Sequence, residues 1–269
     1  MPSLLLERIV FDYGATFSLK DINLSVPHGS FLALIGPNGS GKTTLMQIMS
    51  GLLTPKAGEI TLDDQPLNQL SRRELARQIA VISSEQHFEF PFPVAEVVTM
   101  GRFPYLGRFE KLTRRDREIV DEALDWTQTH HLRDRPISQL SSGERQRVLI
   151  ARAVAQKPAI LMLDEPNVHL DLNHQIAIFR LLRRLNQDFS VTVVVVLHDL
   201  TAAAVFCQTV VLMWEGKLVK TGPPQEVITT EILRSVYGAD IEVYPSPLGG
   251  IPQVAYRAEQ THRPQTPNP

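Results

Sequence analysis

The feature that most constrains this chain is a glycine-rich loop between an apolar segment and a helical segment. The apolar segment FLALI occupies 31–35, and the loop with the residues after it reads GPNGSGKTT at 36–44. A short apolar run bounded by glycine predicts a buried strand, and the residues after the loop predict a helix. Strand, glycine loop and helix in this order form a cradle in which backbone N–H groups face a phosphate. The sequence therefore predicts an α/β core that binds a nucleotide.

Individual residues of this loop have distinct predicted roles. The glycines let the backbone turn sharply, Lys42 brings a positive charge to the β and γ phosphates, and the Thr43 hydroxyl is suited to bind Mg²⁺. The residues assigned to nucleotide binding are Gly36, Pro37, Asn38, Gly39, Ser40, Gly41, Lys42, Thr43 and Thr44.

Two further apolar segments end in side chains of catalytic types. AILML at 159–163 is followed by Asp164 and Glu165, and VTVVVVL at 191–197 is followed by His198. Side chains at the carboxyl ends of parallel strands meet in the crevice where ligands bind. We expect Asp164 in the Mg²⁺ shell, Glu165 to polarise the attacking water, and His198 to contact the γ-phosphate or orient that water. A lone histidine after a strand is more often structural, but its combination with the loop favours a catalytic role.

A second turn of small residues lies in LSSGERQRVLIARA at 140–153 and leads into another helical run. Such a turn also presents N–H groups and the positive end of a helix dipole to an anion. A single complete nucleotide pocket does not need two such helix starts. We name this second turn, with the first residue of its charged run, the signature turn; its residues are Ser141, Ser142, Gly143 and Glu144.

Together with VHLD at 168–171, these features resemble the ATP-binding cassette (ABC) ATPases in order and spacing over roughly residues 3–240. The resemblance implies that ATP is bound with Mg²⁺, and that the signature turn caps the γ-phosphate of an ATP held by a second copy in a head-to-tail dimer. It also implies that Tyr13 stacks on adenine and that Asp171 lies in a loop crossing the dimer interface. Tyr13 could instead pack within the β portion, and Asp171 could simply cap the helix that starts at Leu172.

The chain departs from this family pattern at two places. Ser142 stands where the family has a glycine, and its Cβ restricts positive φ while leaving the N–H available. The loop glutamine of the family, which touches Mg²⁺ and the attacking water, aligns without gaps with Ser84. Because serine is too short to reach as far, Glu85 or Gln86 could take that role if the loop shifts slightly.

The predicted fold class is α/β: a P-loop NTPase core of mainly parallel sheet with an antiparallel β portion and an inserted helical sub-domain. We expect the ABC ATPase domain to span 1–245, with the helical sub-domain at about 91–140. Inside the sub-domain, Thr113 is expected to cap a helix that runs to about Trp126. Residues 246–269 are rich in Pro, Gly, Gln and Thr, which predicts a disordered tail.

Composition predicts which partners and which cellular compartment suit this chain. A formal net charge of −2 provides no basic field for nucleic acid, so no nucleic-acid partner is expected. The N-terminus has no basic leader, and the apolar runs are much shorter than the roughly 20 residues needed to span a bilayer. The single cysteine, Cys207, fits a reducing compartment and is expected to be buried in a helix-like run. A cytoplasmic, non-spanning chain is therefore expected.

Two segments resemble the importer ATPases for iron–siderophores, haem and cobalamin: PFPVAEVVTMGR at 91–102 and GPPQEVITTEILRSVYGADIEV at 222–243. The resemblance implies transmembrane permease subunits as partners, a substrate-binding protein as an indirect partner, and a location on the cytoplasmic face of the cell membrane. Phe90, Phe92 and Pro93 would then line a groove for a short permease helix, or else merely pack the sub-domain.

Two other functions stay open at this point. The chain could be a transport ATPase for another cargo, such as zinc, manganese or a lipid. It could also be a soluble ABC ATPase in DNA repair or translation, although the sequence has no long heptad insertion, no zinc-binding cysteines and no second cassette.

Overall fold

The structure, a computed structural model, describes residues 2–14, 17–83, 90–247 and 249–256. The strands are β1 (Pro2–Asp12), β2 (Ser18–Pro27), β3 (Phe31–Ile35), β4 (Ala57–Leu62), β5 (Gln65–Pro66), β6 (Ile79–Ile82), β7 (Ile160–Asp164), β8 (Thr192–Val196), β9 (Thr209–Trp214), β10 (Lys217–Gly222), β11 (Ile241–Pro245) and β12 (Pro252–Tyr256). The helices are α1 (Lys42–Met49), α2 (Arg72–Gln78), α3 (Val94–Thr99), α4 (Arg114–Trp126), α5 (Ser142–Ala155), α6 (Leu172–Phe189), α7 (Leu200–Phe206), α8 (Pro224–Val227) and α9 (Thr230–Tyr237).

The main sheet has the strand order β10-β9-β3-β8-β7-β6, and all of these strands except β10 run parallel to their neighbours. The central strands β3, β7 and β8 are buried along their whole length. Parallel strands covered on both faces read as continuous apolar runs rather than as alternating patterns. The carboxyl ends of these strands lie at one edge of the sheet. The predicted α/β fold class, with a mainly parallel sheet, is confirmed.

Two hydrophobic cores cover the two faces of this sheet. On one face α6 and α7 contribute Phe179 and Ala203, and the buried Cys207 lies in the same core, as predicted. On the other face α1 contributes Leu45, and the antiparallel sheet β2-β1-β4-β5 contributes residues such as Ile22. The second core fixes α1, the helix that follows the glycine loop, against the main sheet.

The segment at 91–140 contains α3, α4 and short 3₁₀ turns, which pack with α5 in a third core. The predicted start of α4 is confirmed, since the Thr113 hydroxyl accepts a hydrogen bond from the Asp116 N–H and the Asp116 carboxylate accepts one from the Thr113 N–H. The same carboxylate forms a buried ion pair with Arg102, with 3.0 Å between Oδ1 and Nε. Arg102 also donates to the carbonyl oxygen of Ala155 at the end of α5. These contacts tie α4 and α5 into one unit.

The C-terminal part differs from the expected tail that begins at residue 246. β12 pairs antiparallel with β11, so that Val243 lies opposite Val254, and both pack against the core of the main sheet. The composition of this stretch suggests disorder, but a strand partner and a core surface supply the burial that the stretch lacks by itself. The rest of the expected tail, 257–269, lies outside the described residues.

Candidate active site

The glycine loop at 36–41 connects β3 to α1, as the sequence predicts. Gly36 has a φ of 146°, and a Cβ atom there would lie 2.2 Å from the carbonyl oxygen of Met213 in β9. Because β9 is the neighbour of β3 in the sheet, a side chain at this position would strike backbone that cannot move aside. Gly41, at the N-cap of α1, has a φ of 102° and makes no side-chain cap. The N–H groups at the start of α1 are therefore available to an anion.

Lys42 is buried inside this loop, with 5% of its surface exposed. Its Nζ donates hydrogen bonds to the carbonyl oxygens of Gly36 and Pro37, at 2.9 and 3.0 Å. Burial lowers the pKa of Lys42, while the neighbouring carboxylates of Glu165 and Asp164 act to raise it. The loop backbone thus holds the ammonium group beside the place where phosphate oxygens would lie.

Asp164 is the last residue of β7, and its Oδ1 accepts a hydrogen bond from Thr43 Oγ1 at 3.2 Å. Burial raises the pKa of Asp164, the Thr43 hydrogen bond lowers it, and the negative charge of Glu165 raises it further. Carboxylate and hydroxyl oxygens are the ligands that Mg²⁺ takes in such sites, where it keeps waters and phosphate oxygens as its other ligands. The two side chains therefore fit part of a Mg²⁺ shell.

Glu165 and His198 contact each other, with 2.5 Å between Oε1 and Nε2. Glu165 follows β7 with a φ of 50°, and its N–H donates to the carbonyl oxygen of Val196 in β8. A left-handed conformation is unfavourable for a residue with a Cβ, and such strain is typical of functional positions. The strained turn directs the carboxylate of Glu165 to the edge of the sheet where His198 lies, so it can accept a proton from a water molecule there.

Most of these groups line one open cavity of about 480 Å³, and Asp164 reaches it through Thr43. The lining residues are Tyr13, Phe17, Asn38, Gly39, Gly41, Lys42, Thr43, Thr44, Glu165 and His198. Predicted catalytic residues and predicted nucleotide-binding residues from distant parts of the sequence thus share a single concave surface, which is the usual form of a ligand site.

Aromatic rings form one wall of this cavity. Tyr13 is 53% exposed, and its ring packs edge-on against Phe11 with 4.8 Å between centroids. Phe17 lies against Gly41, where an added Cβ would come within 2.7 Å of its ring. The sequence analysis did not identify Phe17, although an aromatic residue close to Tyr13 in the chain is a usable signal. The ring of Tyr13 packs in the β portion, which is one of its two alternatives, and it also lines the cavity. Stacking on adenine stays a prediction.

The signature turn lies outside this cavity. Ser141 is the N-cap of α5 and forms a capping box with Glu144: the hydroxyl accepts from the Glu144 N–H, and the carboxylate accepts from the Ser141 N–H at 2.9 Å. The Ser141 N–H and the Ser141 hydroxyl both donate to the carboxylate of Glu144, which lowers the pKa of Glu144. Ser142 is the first residue of α5 and has no positive φ, so the serine in place of the family's glycine is accommodated without strain.

Asp171 is the N-cap of α6, and its Oδ1 accepts a hydrogen bond from the N–H of His174 at 2.9 Å. The structure therefore assigns it the capping role that the sequence analysis left open. Its side chain is also 64% exposed, so the predicted interface role stays a prediction. Hydrogen bonds from the backbone and ring of His174 lower the pKa of Asp171, which keeps its carboxylate ionised.

Ser84, which aligns with the family's loop glutamine, lies outside the described residues, and so do its predicted substitutes Glu85 and Gln86. Of the predicted groove residues, Phe90 is 63% exposed and its ring centroid is 6.0 Å from that of Phe92. Phe92 packs against the core of the sub-domain, and Pro93 is the N-cap of α3.

Comparison with known proteins identifies the family. A family model described as "ABC transporter" matches residues 19–168. The iron(3+)-hydroxamate import ATP-binding protein FhuC of Bacillus subtilis is 38% identical over 92% of each chain. The hemin import ATP-binding protein HmuV of Escherichia coli O157:H7 is 40% identical over 92% of this chain and 97% of its own. The chain therefore belongs to the ABC transporter family and is an ATPase of that family.

Solved structures agree with this assignment. The structure of a metal-chelate type ABC transporter in an inward-facing conformation matches 96% of this chain and 99% of its own, with a TM-score of 0.85 and 27% identity. A dimeric bacterial ABC transporter cassette matches 82% of this chain and 98% of its own, with a TM-score of 0.71 and 30% identity. Among the described residues, none of the helices has the length and apolar character needed to cross a membrane.

Proposed function

We propose that the chain is the ATP-hydrolysing subunit of an importer for an iron–siderophore, haem or cobalamin-type substrate. One observation carries this proposal: the two helix N-termini suited to bind phosphate lie apart. The N-terminus of α1 faces the cavity, whereas the signature turn at the N-terminus of α5 lies outside it. Relatives named for the import of iron(3+)-hydroxamate and hemin support the cargo class.

In the proposed function, ATP occupies the 480 Å³ cavity. The loop at 36–44 and Lys42 bind its phosphates, and the exposed ring of Tyr13 stacks on the adenine. Thr43 and Asp164 hold a Mg²⁺ ion, which supplies positive charge to the phosphates. These residues bind and orient the nucleotide.

Hydrolysis then depends on Glu165 and His198. The Glu165 carboxylate accepts a proton from a water molecule as the water oxygen attacks the γ-phosphorus, and ADP leaves with the bridging oxygen. His198, 2.5 Å from Glu165, orients that carboxylate and contacts the γ-phosphate. Lys42 compensates the negative charge that develops on the transferred group.

A second copy of the chain completes the site in this proposal. Its signature turn caps the γ-phosphate, so that two chains close head-to-tail around two nucleotides and reopen after hydrolysis. The similarity to a dimeric ABC cassette supports this arrangement, as does the exposure of Ser141, Ser142 and Asp171.

The dimer drives transmembrane permease subunits from the cytoplasmic face of the cell membrane. Three aromatic side chains at the sub-domain are largely exposed: Phe90 at 63%, Phe103 at 59% and Phe109 at 91%. Exposed aromatic groups in one region are typical of surfaces that contact another protein. A substrate-binding protein on the other side of the membrane would deliver the cargo to the permease.

Affinity capture of the tagged chain from detergent-solubilised membranes tests this function. We expect a many-helix permease to co-purify, and its yield to fall in a Phe103→Ser, Phe109→Ser variant. Val219→Ser is the control, since Val219 is also largely exposed, at 41%, but lies in β10 at the other edge of the main sheet. Capture of a DNA-associated or ribosome-associated partner instead would contradict the transport function, while uptake of labelled zinc or manganese by the complex would contradict the cargo class.

A further inference from the structure

The imidazole of His174 lies between the starts of α5 and α6. Its Nδ1 is 2.8 Å from Asp171 Oδ2, at the N-cap of α6. Its other side contacts the signature turn, where a Cβ added to Gly143 would lie 2.2 Å from His174 Cδ2 and 2.9 Å from Nε2. One side chain therefore touches both of the segments that the proposed dimer presents to its second copy.

An alanine at position 143 would have to displace the ring of His174. Gly143 has no positive φ, so its backbone conformation does not require glycine. It lies in the first turn of α5, where glycine is less favourable than alanine by about 0.5–1 kcal/mol. The space that an alanine methyl would occupy is taken by the ring of His174, so the two positions are sterically coupled.

The same ring fixes the direction of the Asp171 carboxylate. Asp171 is ionised and can only accept hydrogen bonds, so Nδ1 of His174 carries the proton between them. The backbone N–H of His174 holds the other carboxylate oxygen at 2.9 Å. A carboxylate held at both oxygens loses the rotational freedom that an exposed aspartate otherwise has.

We propose that His174 is a positioning residue that holds Asp171 and the signature turn in one fixed relative geometry, so that a second copy meets both together. This inference rests on the proposed dimer. The residue acts through its two neighbours and not through the nucleotide, because His174 does not line the cavity that holds Lys42 and Glu165.

The test is a double-mutant cycle on ATP-dependent dimerisation, measured by light scattering in a Glu165→Gln background. We expect His174→Ala to raise the ATP concentration for half-maximal dimerisation about threefold to tenfold. Gly143→Ala should raise it further, because the new methyl group displaces the ring. The double variant should recover part of the loss caused by Gly143→Ala, since removing the ring makes room for the methyl group.

Two further variants separate packing from hydrogen bonding. His174→Phe keeps a ring against Gly143 but loses the bond to Asp171, so its effect should fall between those of the parent and His174→Ala. His28→Ala, at an exposed histidine before the turn at Gly29, should change nothing. The affinity of the monomeric chain for ATP and its thermal unfolding, measured in parallel, should stay near parent values in His174→Ala.

Three outcomes would overturn the inference in distinguishable ways. If the Glu165→Gln parent does not dimerise with ATP, the proposed dimer fails and the role of His174 fails with it. If the parent dimerises but His174→Ala does so equally well, the dimer stands and His174 has no positioning role. If the double variant is no better than Gly143→Ala, the steric coupling is wrong.

Discussion

The starts of α1 and α5 are two helix N-termini of similar sequence character but opposite local chemistry. At α1 the N-cap is a glycine without a side-chain cap, and the helix begins beside a buried lysine. At α5 the N-cap Ser141 and the carboxylate of Glu144 cap each other, and Ser141 and Ser142 are exposed while Gly143 is buried. The first terminus is left open for a ligand, whereas the second is stable without one.

The start of α1 therefore belongs to a site that can bind a nucleotide in one chain. The start of α5 can only contribute to a nucleotide site on a second copy of the chain. The cavity at α1 gathers Lys42, the carboxylate of Glu165 and open N–H groups within one chain, and Asp164 lies behind Thr43. One chain therefore has the groups needed to bind a triphosphate. The signature turn offers only the N–H groups that its capping box does not use. Mutations at α1 should therefore change nucleotide binding or chemistry in the single chain, and mutations at α5 should change the dimer.

The largest effect is expected for Glu165→Gln. The variant keeps the shape of the side chain but cannot accept the proton of the attacking water, so kcat should fall about 10²- to 10⁴-fold while ATP binding persists. Phosphate release under saturating Mg-ATP measures the change, with Glu231→Gln on the exposed surface of α9 as the control. Turnover near that of the parent would remove Glu165 from the role of the base.

A smaller effect is expected for Lys42→Met, which replaces the ammonium by an apolar group of similar length. Loss of a hydrogen bond to a charged group should raise the Kd for ATP about 10- to 100-fold. Fluorescence titration with an ATP analogue measures it, and Lys56→Met is the control because Lys56 pairs with Asp12 at the surface. Equal affinities for the two variants would mean that Lys42 stabilises the loop backbone and does not bind the phosphates.

Tyr13→Ala tests the aromatic wall of the cavity. Removal of a stacking ring should raise the Kd for ATP about tenfold, and Tyr13→Phe should restore the affinity because it keeps the ring. Nucleotide titration together with thermal unfolding separates the two roles of Tyr13. A loss of stability with an unchanged Kd would assign the ring to packing against Phe11 only.

The smallest effect is expected for Ser141→Ala. Loss of the N-cap should reduce the free energy of unfolding by about 1 kcal/mol, as should the matched change Thr113→Ala at the capping box of α4. Urea unfolding measures both. ATP-dependent dimerisation should weaken only in Ser141→Ala, and an equal change in the two variants would place the effect in general stability instead of in the signature turn.

The parts of the site that depend on local order along the chain could be predicted from the sequence. Asp164, Glu165 and His198 could be placed at one edge because each follows an apolar strand of a parallel sheet. Contacts that depend on packing between distant segments could not be predicted from the sequence. Phe17 against Gly41 and His174 against Gly143 have no local pattern, since each pair meets only when its two elements pack.

The C-terminal region was also predicted incompletely, because its structure depends on contacts with other segments. Composition predicted a tail from residue 246, but β12 becomes a strand through pairing with β11 and packing on the core. Strand formation depends on the partner and the buried surface more than on intrinsic preference. The capping role of Asp171 was one of the alternatives left open by the sequence, and the hydrogen bond from the His174 N–H decides it.

Through the buried ion pair of Arg102 and Asp116, α5 moves together with the helical sub-domain. The pair anchors the far end of α5 to α4, while the signature turn forms the near end. Fourteen helical residues separate the two ends by roughly 20 Å, at about 1.5 Å per residue. A rotation of the sub-domain by about 10° about the far end of α5 would therefore shift the signature turn by roughly 4 Å. In the proposed dimer, such a rotation would change the distance between the turn and the nucleotide of the second copy.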